Sequence, residues 1–554
     1  MTTVAERIAT VLAAHAEEVF GLMGNGNAYL IDAMYRLTDL RFTPVRHEAA
    51  TVASADAYHR TTRRLAVATA TYGAGFTNAV TSLAEAAMSR TPLVLVVGDA
   101  PTTGPRPWDI DQVVVAEACG APTVVVTADS PGRDTASAVE LAWRRRGPVV
   151  LAIPYDLPAA RTPEPEGGFP ISRPAPPAPD REQVETAAAL LREARRPVIL
   201  AGRGALEARE TLADLADRLG AITVATAPAR GMFAGRPLDA GVCGGFSSER
   251  TAAYLGRADV VLAVGAGLNQ FTMGFGRLFP PEAAIIQVDL LDAPTHPQVT
   301  RFLRADAALA ADAILASMRA AQGSAPATTW SGLDPQEVAG AQSDRERGSE
   351  LAADGLLDPR ALARVLDESL PEQRLIVSDG GHFIGWANTY FDVPGPDSIT
   401  LVGTQFQSIG LGFSSAPGAA LAANERGAML AVVTGDGGGL MALADLDSTV
   451  RAADRATIVV FNDAAYTAEV TQYGALGLDE RPMRIEQNDF ARFGEAVGAH
   501  GVVVRSHADL EEWAEWARSG EPGAWLLDCR ISGSIIAPYQ LEIMANLQRQ
   551  AAGR

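Results

Sequence analysis

Two acidic positions in the C-terminal half carry the most specific chemistry in the chain. Ala431–Gly439 reads AVVTGDGGG: an apolar strand empties into Asp436 between glycines, and the helical pattern Leu440–Arg451 follows. A carboxylate at a strand end can hold a hard cation through oxygen. Glycines let the backbone approach a phosphate, with N–H groups and a helix N-terminus facing it. Alone, such a turn is most often only a tight connection. A second apolar run, TIVVF, ends in Asn462-Asp463-Ala464-Ala465-Tyr466. Adjacent parallel strands bring their carboxyl ends side by side. Asp436 and Asp463 can then share one ion, with a main-chain oxygen near Ala465 as a third ligand. Mg²⁺ suits a few protein oxygens completed by diphosphate oxygens and water.

The elements that position these acids are read from apolar periodicity. Nearly continuous apolar runs at Leu93–Val97, Pro148–Ile153, Pro197–Ala201, Val260–Val264, Ala428–Val433 and Thr457–Phe461 alternate with helical patterns. Strands buried on both faces and alternating with helices indicate parallel sheets. The Pro-rich stretch Leu157–Asp180 and a polar stretch from about Ala320 to Leu356 read as extended, solvated linkers. The expectation is an α/β protein of three doubly wound parallel-sheet domains, 1–160, 181–320 and 355–554, with ligands at the carboxyl ends of the strands.

Composition removes several alternatives. The chain of 554 residues carries a net charge of −20, which disfavours nucleic acid and anionic membrane partners. All basic residues are arginine; there is no lysine. Schiff-base, pyridoxal-phosphate and P-loop chemistry each need a lysine. Cys119, Cys243 and Cys529 show no metal-ligand spacing and read as buried, reduced thiols of a cytoplasmic protein. The N-terminus lacks the apolar core of a signal peptide, and no run is long enough to span a membrane.

These stretches together resemble the thiamine-diphosphate (ThDP) enzymes, a family that includes acetolactate synthases, benzoylformate decarboxylases and pyruvate decarboxylases. A GDG followed about 27 residues on by an Asn/Asp pair is similar to that family's ThDP motif. The resemblance implies that Asp436, Asp463 and the main-chain oxygen of Ala465 hold Mg²⁺. Gly435, Gly437, Gly438 and Tyr466 would then surround the diphosphate. Asp463 stands where Asn is usual and adds a charge. Val45–Ala50, VRHEAA, resembles the family's Arg-His-Glu after a strand. Glu48 would hydrogen-bond the aminopyrimidine and stabilise its imino tautomer, a task for a carboxylate with an environment-tuned pKa. TATYGAGFTN resembles the family's Gly-rich loop and places Gly73 and Asn78 near the cofactor. SIGLGFSSAPG resembles the segment beneath it, with the buried Ile409 as the wedge that bends the cofactor and the Gln407 carbonyl accepting from the aminopyrimidine. SDGGHF resembles the loop that reaches the diphosphate, with His382 as donor.

Pocket residues indicate which chemistry the resemblance implies. FGLMGNGN matches the loop over the thiazolium, where Asn25 replaces the Asp of pyruvate decarboxylases. Their paired His is also missing. PWDIDQ instead aligns Gln112 with the Gln common in acetolactate synthases, and Asp111 replaces an aromatic residue. YTAE resembles a decarboxylase segment ending in a catalytic Glu, here Glu469. His47 and His382 are further proton carriers. The expectation is a ThDP- and Mg²⁺-dependent carboligase or lyase, acetolactate-synthase-like, acting on a 2-oxo acid or ketone. A simple 2-oxo acid decarboxylase and a non-catalytic ThDP-binding regulator are alternatives. A nucleotide-dependent oxidoreductase is disfavoured, because no proper GxGxxG with a following acid occurs. AGRGA (201–205) and VGAGLNQ (264–270) resemble FAD-holding loops that relatives without FAD also carry, so FAD is an alternative rather than the expectation. Resemblance further implies a homodimer or homotetramer with active sites at the dimer interface.

Overall fold

The computed structural model describes residues 2–165, 167–320 and 329–552. Three six-stranded sheets form, and every neighbouring pair of strands runs parallel. Helices cover both faces, so the central strands are buried throughout and consist largely of Val, Leu, Ile and Ala. All six apolar runs are strands within a residue or two of their predicted ends.

The first sheet runs, edge to edge, Arg41–Pro44, Glu18–Gly21, Ala66–Ala70, Leu93–Asp99, Pro148–Pro154 and Thr123–Val125. The second runs Val299–Arg304, Ala284–Asp289, Val260–Val264, Pro197–Ala201, Ile222–Ala225 and Asp239–Val242. The third runs Ile399–Thr400, Arg374–Ser378, Met429–Gly435, Arg455–Asn462, Gly523–Arg530 and His500–Val504. Counted from its own first strand, the third sheet has the same strand order as the first. Winding reverses after Gly21 and Ala70, after Ala201 and Val264, and after Ser378 and Gly435. Those reversals open the crevices where doubly wound sheets take ligands. Asp436 lies at the third of them, Asp463 at the end of the next strand, Arg455–Asn462, and Glu48 beyond the edge strand next to the first.

The first and third sheets are joined through the helices Glu48–Thr62 and Gly412–Glu425. Ser54 Oγ donates to the Ser414 carbonyl at 2.8 Å. A Cβ on Gly418 would lie 1.8 Å from the Ser54 carbonyl oxygen, so the backbones touch there and only glycine fits.

Three expectations change in detail. The helical pattern Leu440–Arg451 is two helices, Asp436–Met441 and Asp445–Ala452. The second is anchored by Asp445, whose carboxylate accepts from the Arg46 amide and the Ser448 hydroxyl. The second linker is not a solvated strap. Residues 321–328 lie outside the described part, but Trp330, Val338 and Ala341 are buried under the middle sheet, and the Trp330 indole donates to the Pro197 carbonyl at 2.9 Å. Of the free cysteines, Cys119 is only partly buried. Among the described residues, no helix is long and apolar enough to cross a membrane.

Candidate active site

The N-terminal group of residues assembles at the switch point of the first sheet. Glu48 opens the helix Glu48–Thr62, and His47 caps it, Nδ1 accepting from the Ala49 amide. An acid in a first helical turn is stabilised by the unpaired N–H groups there. Glu48 Oε2 accepts from Asn78 Nδ2 at 3.0 Å. Asn25 is exposed, and its Nδ2 donates to the Tyr72 hydroxyl at 3.1 Å. Asn27 holds that loop from beneath, accepting from the Gly24 amide and donating to Leu22 O and Thr69 Oγ1. Gly73 has φ +59°, and its N–H is taken by Gln112 Oε1 at 2.6 Å.

Gln112 is buried, and its amide also donates to Gly98 O and Asp99 Oδ1. It therefore braces the Gly73 loop from below. Asp111 caps the following helix through the Val114 amide and is exposed.

The second group surrounds the switch point of the third sheet. Asp436 Oδ1 accepts from the Gly437 amide at 2.9 Å, while its Oδ2 is buried and has no partner. Asp463 Oδ2 accepts from the Thr467 hydroxyl at 2.6 Å. Burial and the neighbouring Asp463 charge push Asp436 up to about 7. Burial pushes Asp463 up to about 6. Ala464 sits at φ +57°, which turns the chain sharply ahead of Ala465. Among the described residues, no cluster of three or more His, Cys, Asp or Glu forms a metal cage. Two carboxylates, one with an orphaned oxygen, suit an ion that takes its remaining ligands from main-chain and phosphate oxygens.

Tight packing explains the glycines. A Cβ on Gly435 would meet the Phe383 ring at 2.8 Å, one on Gly437 the Tyr466 ring at 2.6 Å, and one on Gly438 the Asp379 carboxylate at 2.6 Å. Asp379 was not singled out in the sequence. It follows the strand Arg374–Ser378 and accepts from the amides of Gly380 (2.7 Å), Gly410 (3.0 Å) and Leu411 (3.2 Å) and from the Thr434 hydroxyl (3.1 Å). Burial lifts it to about 6. Its position, an acid ending a strand at a switch point, was the available signal.

His382 is buried and held down to about 4, so it is neutral at pH 7. Its Nε2 accepts from the Ala537 amide at 3.0 Å, which leaves the proton on Nδ1. Tyr539, another residue the sequence did not flag, donates to the Gly381 carbonyl at 3.0 Å. Burial and the Glu469 charge both raise its phenol, which places Glu469 near this loop. Glu469 itself is exposed in the first turn of the helix Thr467–Tyr473. Gln407 adopts φ +57°. Ile409 is only partly buried, against the expectation.

No hydrogen bond or ion pair among the described residues joins the Glu48 group to the Asp436 group. In the middle sheet, the two Gly-rich loops pack on each other: the Gly204 amide donates to Gly265 O at 3.0 Å, and a Cβ on Gly202 would lie 2.2 Å from that same oxygen.

Residues 2–115 match the model of the thiamine pyrophosphate enzyme N-terminal TPP binding domain, 184–318 its central domain and 379–529 its C-terminal TPP binding domain. The chain is 30% identical to a sulfoacetaldehyde acetyltransferase of Castellaniella defragrans, over 91% of this chain and 88% of the relative. It is 27% identical to an acetolactate synthase of Mycobacterium leprae, over 91% and 83%. A Rhodococcus jostii RHA1 thiamine diphosphate-dependent 4-hydroxybenzoylformate decarboxylase shares the fold with a TM-score of 0.77 at 19% identity, over 96% of this chain and 99% of that one. With three matched models spanning most of its length and the α/β architecture to go with them, this chain belongs to the thiamine pyrophosphate enzyme family and is a ThDP-dependent enzyme.

Proposed function

We propose that the protein is a Mg²⁺-dependent carboligase that uses ThDP to cleave a 2-oxo acid or ketone donor and joins the retained fragment to an acceptor carbonyl. The supporting observation is the Asp436–Asp463 pair. Two adjacent carboxylates in a largely buried setting are pushed up to about 7 and about 6, and the cation acting on them, Arg484, lowers Asp463 too little to offset its burial. Mg²⁺ would supply the balancing charge and tie the diphosphate to the Gly435–Gly438 turn, with the Ala465 carbonyl as a third protein ligand. When bound, ThDP supplies a nucleophilic carbon and an electron sink.

The chain's own residues supply the rest. Glu48, held by Asn78, would hydrogen-bond the aminopyrimidine and hold or release a proton at its own carboxylate there. His382, neutral with its proton on Nδ1, would donate to the diphosphate. Ile409 would pack against the cofactor and the Gln407 carbonyl would accept a hydrogen bond from it. Asn25 offers a neutral amide to the substrate carbonyl or carboxylate; it can hydrogen-bond but cannot deliver a proton at neutral pH. Asn25 itself would therefore not supply the proton that a simple decarboxylase needs, and an acceptor carbonyl would compete with the carriers that remain. Glu469 and His47 are the remaining carriers at the rim, and Asp111 and Gln112 brace its wall.

Two copies of the chain complete each site in this reading. Glu48 and Asp436 belong to separate groups, and each is bordered by exposed apolar side chains. Met23 and Trp108 are 68% and 63% exposed beside the first, and Met441 and Leu476 54% and 71% beside the second. In the middle loops Gly202, Gly204 and Gly265 pack on each other's backbone while Gly267 faces open space, and FAD stays the alternative.

The test is CO₂ release from pyruvate and other 2-oxo acids with ThDP and Mg²⁺, with and without an aldehyde acceptor, analysed for condensation products. CO₂ release with only aldehyde product favours the decarboxylase. Bound ThDP with no turnover favours the regulatory alternative. A second reading, acetyl transfer, is favoured by the 30% identity to a sulfoacetaldehyde acetyltransferase. Including sulfoacetaldehyde among the substrates separates it.

A further inference from the structure

We propose that Glu85 is a positioning residue for the cofactor-facing segment Gln407–Ile409, acting from the N-terminal domain of the same chain. Glu85 lies on the helix Val80–Met88 and is fully buried. Its Oε2 accepts two backbone amides of the C-terminal domain, Gln405 at 3.0 Å and Phe406 at 2.8 Å. Its Oε1 is fixed in turn by Arg60 Nη2 at 3.0 Å and the Ser89 hydroxyl at 2.7 Å. Arg60 also donates through Nη1 to the Leu401 carbonyl at 2.8 Å, and its other edge is clamped by both oxygens of Asp56. One buried ionic cluster thus grips both the start of the loop, at residue 401, and its middle, at 405 and 406.

The next residue in the chain, Gln407, makes the grip matter. It sits at φ +57°, a conformation that residues with a Cβ avoid and that the surroundings must impose. Three residues on, the amides of Gly410 and Leu411 are held by Asp379. Gln407, Ser408 and Ile409 are therefore suspended between two buried carboxylates, Glu85 on one side and Asp379 on the other. Asp379 belongs to the same sheet as the loop. Glu85 does not, so the loop's shape depends on a charge from another domain. Phe406 is exposed at 44%, so packing does not hold this stretch. Amide-to-carboxylate hydrogen bonds are stronger than neutral ones, and removing the charge leaves the amides with a weaker acceptor.

This role rests on the reading that Gln407 and Ile409 face ThDP, and the experiment separates the two. Glu85→Gln keeps the size and one oxygen but not the charge. Amide hydrogen exchange of the segment 401–411, measured on the full-length protein without cofactor, is expected to quicken at least tenfold in E85Q, about the loss of one charge-assisted hydrogen bond. Peptides from the strands Met429–Gly435 and Arg455–Asn462 are expected to keep their wild-type exchange. The ThDP concentration giving half-maximal activity is expected to rise at least tenfold, with a smaller fall in turnover at saturating ThDP. If E85Q does not fold, Glu85→Asp, which keeps the charge but withdraws it by one methylene, is read in the same way. Wild-type exchange at 401–411 in the folded variant overturns the proposal. Failure of the wild-type protein to bind ThDP strikes the cofactor reading alone and leaves the exchange result to stand by itself.

Discussion

Replacing Asp463 with Asn should strengthen the metal-free protein while weakening its hold on metal. Burial pushes Asp463 up to about 6 in the fold, against 3.8 for an unperturbed Asp. At roughly 1.4 kcal/mol per pH unit, that gap costs the fold about 3 kcal/mol once the pH has passed both values. The sign comes from proton count. Between pH 4 and 6 the folded state holds the proton and the unfolded state does not, so stability falls as pH rises through that window. D463N removes the penalty, and its amide oxygen can still accept from the Thr467 hydroxyl. In EDTA at pH 8 the variant should melt higher, by roughly 5–10 °C if the C-terminal domain unfolds as a unit. At pH 4 the two proteins should coincide. With ThDP and Mg²⁺ at pH 8 the order should invert, because wild type gains a charged ligand and the variant does not. Scanning calorimetry at the two pH values, with and without the ligands, reads all of this. Equal or lower melting of D463N in EDTA at pH 8 would refute the argument that burying the charged Asp463 side chain costs the metal-free fold stability.

The same geometry sets other outcomes. Glu48→Gln should lower turnover by at least about 100-fold, the scale of general acid–base catalysis, with circular dichroism and melting unchanged. If two copies share each site, mixing inactive E48Q with inactive Asp436→Asn protein and allowing subunits to exchange should restore activity. A mixed dimer then holds one site with both native acids, whereas a site within one chain would stay dead. Gly418→Ala puts a Cβ 1.8 Å from the Ser54 carbonyl oxygen, so the helices must part. A loss of about 2 kcal/mol or more by urea denaturation is expected.

The sequence disclosed the sheets because their strands are buried on both faces. Runs such as Leu93–Val97 and Thr457–Phe461 carry almost no polar residue that could mislead. The Asp436–Asp463 pairing was legible because two neighbouring parallel strands end together, and spacing alone conveys that. Gln112 was legible as a position but not as a brace, since its partners Gly73, Gly98 and Asp99 come from other loops. Asp379 was legible only as an acid ending a strand, and Glu85 not at all, for a related reason. Each acts by collecting backbone amides from distant segments, and amides leave no trace in residue identity. Trp330 and Val338 were misread as linker because a short packed stretch between polar residues has no period to recognise.

The shared strand order of the first and third sheets has a wider consequence. Both outer domains obey one wiring diagram and meet through matching helices, Glu48–Thr62 and Gly412–Glu425, each of which comes after the edge strand beside its own crevice. An internal duplication leaves such a pattern. A single ancestral unit pairing with itself would have owned two equivalent clefts. Once fused and free to diverge, one copy could specialise in an acid for the ring and the other in a cradle for charge. On the proposed roles, Glu48 and Asp436 would divide the work between two halves that keep one strand order.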